Sequence, residues 1–124
     1  MDHFKDNIEV LTRNNTFFRR VLFTAPHSQL VLMSLKPTEE IGEEVHTDND
    51  QFFRFESGEG KVVVNGAEQI VKQNDAVVVP AGAKHNVINT SAESELKMYT
   101  IYSPAHHPDG TIHKTKEDAI NSEK

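Results

Sequence analysis

The stretch "NDAVVVPAGAKHNVIN", residues 74 to 89, decides how the rest of the chain is read. Ala76 to Val79 form a short run rich in β-branched residues, and Pro80 and Gly82 close it with turn chemistry. His85 then opens a second run, "HNVIN", in which alternate side chains share one side of a strand. Strand, tight turn and strand put an imidazole at the rim of a sheet.

The same rhythm extends in both directions. "QLVLMSL" (29 to 35), "QFFRFE" (51 to 56) before "SGEG", "KVVV" (61 to 64) before Asn65-Gly66, and "EQIVK" (68 to 72) before "QND" are short apolar runs broken by turn residues. "HNVINT" and "ELKMYTIYS" continue it, with "SAES" between them expected as a hairpin loop. The expectation is an all-β sandwich or barrel filling most of residues 29 to 103. Upstream, "NIEVLTRNN" has weak helical spacing and "FFRRVLFTA" suits a strand, and the sequence leaves the choice open. Downstream, a tail from about residue 104 ends in "TKEDAINSEK", where Thr115 followed by Asp118 predicts the cap of a short polar helix. No repeat or linker divides residues 1 to 124, so a single domain is expected.

Composition narrows the chemistry. With 19 acidic against 13 basic residues the formal charge is −6, and no basic run tracks a phosphate backbone, so neither nucleic acid nor an anionic membrane is an expected partner. The absence of cysteine removes disulfides, thiolate ligands and thiol nucleophiles together, and any metal must be held by nitrogen and oxygen. The start, "MDHFKDNIEV", lacks a basic stretch followed by an apolar run, which makes the cytoplasm the expected compartment.

The residues themselves bring a family into view. The chain resembles the cupins, small barrels of the double-stranded β-helix (jelly-roll) type that carry two motifs, G-x5-H-x-H-x(3,4)-E-x6-G and G-x5-P-x-G-x2-H-x3-N. The second fits at residues 74 to 89, with Asn74 in place of the leading glycine, then Pro80, Gly82, His85 and Asn89. The first fits at residues 38 to 58 if Thr38 stands for the leading glycine, Glu44 and His46 for the two histidines, Gln51 for the glutamate and Gly58 for the last glycine. The resemblance implies a jelly-roll barrel with a metal site in its mouth.

Strand alternation selects the same ligand register, because only alternate residues reach the inside of a sheet. Glu44 and His46 share a face, as do Gln51, Phe53 and Phe55, with Arg54 turned away. A rival register would use His46, Asp48 and His85 as a two-histidine, one-carboxylate set, with Asp50 as a further candidate. "TDND" also reads as a turn that points those acids outward. The expected metal ligands are Glu44, His46, Gln51 and His85, a set suited to a divalent transition metal such as Fe, Mn, Ni or Zn. For Gln51 a plain amide hydrogen-bonded inside the barrel competes with ligation, and Asn89 is read as fixing the backbone near His85. Phe53, Met98 and Tyr102 are expected toward the pocket, with Phe53, Phe55 and Met98 read as core first and as substrate surface second, and Tyr99 and Ile101 on an outer apolar face that suggests a homodimer. The histidines of "HHPDGTIH", His106, His107 and His113, are read as part of an irregular tail over the barrel in preference to a second metal site.

Two functions follow from this reading. One is a metal-dependent enzyme, dioxygenase- or isomerase-like, acting on a small polar molecule. The other is a non-catalytic module that binds or senses a sugar-like or carboxylate ligand.

Overall fold

Alternating apolar residues need two sheets to bury them, and the computed structural model, which describes residues 2–123, supplies two antiparallel ones. Helix α1 (Ile8–Asn14) precedes β1 (Arg19–Thr24), β2 (Gln29–Leu35), β3 (Glu44–Val45), β4 (Asp50–Ser57) and β5 (Glu59–Val64). Then come β6 (Ala67–Lys72), β7 (Ala76–Val79), β8 (Lys84–Asn89), β9 (Leu96–Ser103), β10 (Ile112–His113) and helix α2 (Lys116–Ser122). One sheet has the order β10-β1-β2-β9-β4-β7 and the other β3-β8-β5-β6. The fold is the all-β jelly roll expected from the sequence, with its short C-terminal helix capped by Thr115, whose hydroxyl accepts from the Asp118 N–H at 3.1 Å.

Inward residues of both sheets meet in one core. Val31, Met33, Leu35, Phe53, Phe55, Leu96 and Met98 come from the larger sheet, and Val62, Val71 and Val87 from the smaller. Along β9 the expected alternation holds, with Leu96, Met98, Thr100 and Tyr102 buried and Lys97, Tyr99 and Ile101 only partly so.

One loop is corrected. "SAES" does not close a hairpin, because β8 pairs with β3 and β5 whereas β9 pairs with β2 and β4, so the loop carries the chain between sheets. Spacing alone cannot tell a hairpin from a crossover of equal length. Gly58 marks a similar crossing: its φ is +88°, and a Cβ there would run into the backbone carbonyl of Glu95.

The open choice at the start resolves into both elements in succession. Asn7 caps α1 by accepting from the Val10 N–H at 3.1 Å, and "RRVLFT" becomes β1. Helix α1 packs across β2, β4 and β9, so it crosses the outer face that carries Tyr99, while Val78 on the edge strand stays 66% exposed.

The motif register shows in the backbone. Thr38 and Asn74, which stand where the family pattern has glycine, both keep positive φ, at 65° and 76°. Asparagine tolerates that region, whereas β-branched threonine is strained in it. Asn89 ties down the crossover: its amide donates to the carbonyls of Leu35, Lys36 and Ser94, and its oxygen accepts from the Ser91 N–H.

Candidate metal centre

Cross-strand pairing assembles the centre. Glu44 on β3 lies opposite His85 on β8. His46 follows β3 directly, and its carbonyl accepts from the Gly82 N–H at 2.9 Å, which joins it to the Pro80–Gly82 turn. Gln51 enters from the other sheet, on β4, between Tyr102 and Val79. One ligand atom from each of Glu44, His46 and His85 lies within 4.8 Å of the others, and this is the one such group found among the described residues.

Hydrogen bonding leaves this cluster incomplete. His85 Nδ1–H donates to the Ala83 carbonyl at 3.0 Å, which fixes the ring and leaves the Nε2 lone pair facing inward. That Nε2 is buried and has no partner. His46 Nε2 is also buried and unpartnered, since its 3.6 Å separation from Glu44 Oε1 is too long for a hydrogen bond. Gln51 donates through Nε2 to Thr100 Oγ1 at 3.0 Å, so its Oε1 is left without a donor.

Three buried polar atoms unsatisfied together are costly, at about 1–3 kcal/mol each. A cation shared among them removes that cost. Burial acts to raise the Glu44 carboxyl, but His46, Arg19 and His85 outweigh it and hold its pKa below the ordinary value, so the carboxylate is kept charged. Two imidazole nitrogens, one carboxylate and one amide oxygen thus fit a divalent transition metal.

The other expected site residues divide. Phe53 is fully buried with its ring edge toward His85, centroids 6.4 Å apart, and forms the floor. Tyr102 stands T-shaped to His46 at 5.7 Å. Met98 is two rungs deeper: Tyr102 pairs with Gln51, Thr100 with Phe53, and Met98 with Phe55, which puts it in the hydrophobic core. Asp48 is exposed, and Asp50 turns outward to accept from the Ala81 N–H at 2.9 Å.

The tail lies on the mouth through contacts with no signature in the sequence. Asn49 Nδ2 donates to the carbonyls of Pro104 and Ala105, while Gln29 Nε2 donates to the His107 carbonyl and Gln29 Oε1 accepts from the His106 and His107 N–H groups. These bonds bring the His106 ring to 4.3 Å from His46 and stack it on Tyr102 at 5.2 Å. The Tyr102 hydroxyl is 3.3 Å from His107 Nε2. Burial pushes the Tyr102 hydroxyl pKa up, so it keeps its proton, and burial together with Arg19 pushes His107 down to about 3. Arg19 points inward from β1, where its Nη1 donates to His113 Nδ1 at 3.1 Å. Its alternation with Val21 was the available clue.

A jelly roll of two facing sheets with a nitrogen-and-oxygen cradle at one end of the strands defines a class of small β proteins whose cradle could hold a metal ion. Comparison gives the family: the cupin domain pattern matches residues 31–102, and the chain belongs to the cupin family. It is 45% identical over 126 residues to the uncharacterised protein YrkC of Bacillus subtilis, covering 97% of this chain and 67% of that one. A protein of Acanthamoeba polyphaga mimivirus is 46% identical over 110 residues, covering 86% of this chain and 68% of that one. The crystal structure of the BH2720 protein from Bacillus halodurans superposes with a TM-score of 0.93 at 43% identity, over 95% of this chain and 93% of that one. Cupins commonly hold a divalent metal, in keeping with the Glu44, His46 and His85 cluster. Among the described residues, no helix is long and apolar enough to cross a membrane.

Proposed function

We propose that this cupin is a metal-dependent enzyme, dioxygenase- or isomerase-like, acting on a small polar molecule at a divalent transition metal held by Glu44, His46 and His85. The observation that carries the reading is the convergence of unpartnered buried atoms, His46 Nε2, His85 Nε2 and Gln51 Oε1, beside an ionised Glu44. Gln51 either completes the ligand set through Oε1 or positions a bound molecule through the same atom. The bound metal would supply Lewis acidity and open coordination positions.

The chain's own groups shape the rest. Phe53 closes the floor against water, and His106 stacked on Tyr102 narrows the entrance. Tyr102, its proton held by burial, offers an O–H donor at the mouth. Such a donor orients a carbonyl or hydroxyl oxygen of the substrate toward the cradle.

The test is metal analysis of protein purified without chelator, followed by oxygen-consumption and product screening against small acids, diols and phenols. About one metal per chain, lost in His85→Ala, is the expected result. Protein that takes up no Fe(II), Mn(II), Ni(II) or Zn(II) sinks the proposal. Bound metal with no turnover across the panel would favour the binding-module reading.

A further inference from the structure

Arg19 is a buried charged group whose hydrogen-bonding capacity the metal reading leaves unused. It is 4% exposed, and among the described residues no carboxylate forms an ion pair with it. Its hydrogen-bond and ring contacts are neutral, His113 Nδ1 at 3.1 Å from Nη1 and the Phe18 ring with its centroid 5.2 Å from the guanidinium carbon, and the Glu44 carboxylate feels its charge through space without forming an ion pair. Its Nε is buried and unpartnered. Burying a guanidinium charge without a counter-ion beside it is costly. A site that tolerates that cost is built to receive an anion.

Geometry says where the anion goes. Arg19 lines a cleft of about 160 Å³ together with Glu44, Ile41, Gly42 and Lys116, so one cavity joins the guanidinium to Glu44, the one cradle residue that lines it. A second cleft, of about 330 Å³, runs from Arg19 past His107 and His113 beneath the tail. With a water occupying about 30 Å³, the first cleft has room for about five waters, the size of an acid of three or four carbons. Glu43, Glu44 and Glu123 border it, which favours a monoanion over a phosphate dianion.

We propose that Arg19 is the anion anchor of this site: the ligand is a small carboxylic acid whose carboxylate pairs with the guanidinium while its other polar atoms reach the Glu44, His46 and His85 cradle. This rests on the metal reading, and it adds to it the chemical class of the ligand. Metal binding neutralises Glu44, so carboxylate affinity should rise when metal is present.

The Arg19 side-chain Nε–H resonance is followed by NMR during titration with L-lactate, its neutral amide lactamide and inorganic phosphate, on metal-free and Zn(II)-loaded protein. The ring resonances of His46 and His85 report Zn(II) binding separately. The expected result is a saturable Arg19 shift with lactate in at least one form, tighter with Zn(II), and none with lactamide. Arg19→Lys, which keeps the charge but loses the planar fork, should weaken lactate binding by about tenfold or more. An Arg19 resonance unmoved by lactate in both forms, or moved only by phosphate, overturns the anchor even if the histidine rings respond to Zn(II). Rings that ignore Zn(II) while Arg19 responds would instead sink the metal reading and leave the anchor standing. Because the wild-type resonance carries the result, a failure of Arg19→Lys to fold does not obscure it.

Discussion

The two ends of the same strands behave in opposite ways. At one end β4, β8 and β9 contribute Gln51, His85 and Tyr102, and three buried polar atoms there lack partners. At the other end the same strands contribute Phe55, Val87 and Met98, all at 0% exposure in one apolar cluster. Even the polar residue on that side, Asn89, has its amide and its oxygen bonded. The deep end supplies the stability and the rim draws on it: unsatisfied polar atoms persist only where packing elsewhere offsets their cost.

Mutation should separate the ends. Phe55→Ala opens a cavity in the core and should cost about 3–5 kcal/mol in denaturant unfolding, with or without metal. His85→Ala should cost much less in metal-free protein, since it deletes an unsatisfied atom along with one hydrogen bond. Saturating metal, about a thousandfold above its Kd, should stabilise the wild type by about 4 kcal/mol and leave His85→Ala unmoved. Equal losses for the two variants in metal-free protein would erase the contrast between the ends.

Gln51→Glu sharpens the picture of the rim. A second carboxylate beside Glu44 repels it in metal-free protein and attracts a cation when one is present. The variant should therefore be less stable without metal and should release metal to a chelator about tenfold more slowly. An unchanged release rate would place Gln51 outside the coordination sphere.

Strain away from both ends has a smaller effect. Thr38 holds a φ of 65°, a conformation glycine adopts freely, and Thr38→Gly should stabilise the fold by roughly 1 kcal/mol in thermal or denaturant melts. A destabilised variant would mean that the threonine side chain makes up for its backbone.

Near neutral pH the smallest effect is the pH response of the rim. His107 is depressed from 6.5 to about 3 by burial first and then by Arg19 and the neighbouring histidines. Below pH 6.5 the unfolded chain therefore binds the proton that the folded chain refuses, so this contribution is whole above pH 6.5 and is lost as pH falls toward 3. Metal-free His107→Phe should show a shallower decline in stability across that window than the wild type, and an identical slope would locate the acid sensitivity elsewhere.

Much of this was legible in the residues. Alternation in "QFFRFE" and "ELKMYTIYS" separates inside from outside because a strand has only two faces, and the turn residues between such runs set their number. The two spaced motifs carry a further signal, since Thr38 and Asn74, which stand where the family pattern has glycine, both keep a left-handed backbone.

Depth and partnership were not legible. Period-two alternation assigns Met98 and Tyr102 to the same face but does not say which lies at the rim, because position along a strand depends on the register with its neighbours, and here Gln51 pairs with Tyr102 while Phe55 pairs with Met98. The "SAES" loop looked like a hairpin because a connection's length does not reveal which sheet it enters. Arg19 is separated by 94 residues from His113, and Gln29 by 78 from His107, so neither the buried guanidinium nor the pinned tail leaves a local pattern. Sheet class, family and the inward-facing side chains could be read from the residues alone, since they follow from nearest-neighbour sterics and spacing. Which inward residues share a rung, what covers the mouth and which buried charge lacks an ion pair emerge only in three dimensions, because they depend on contacts between segments far apart in the chain.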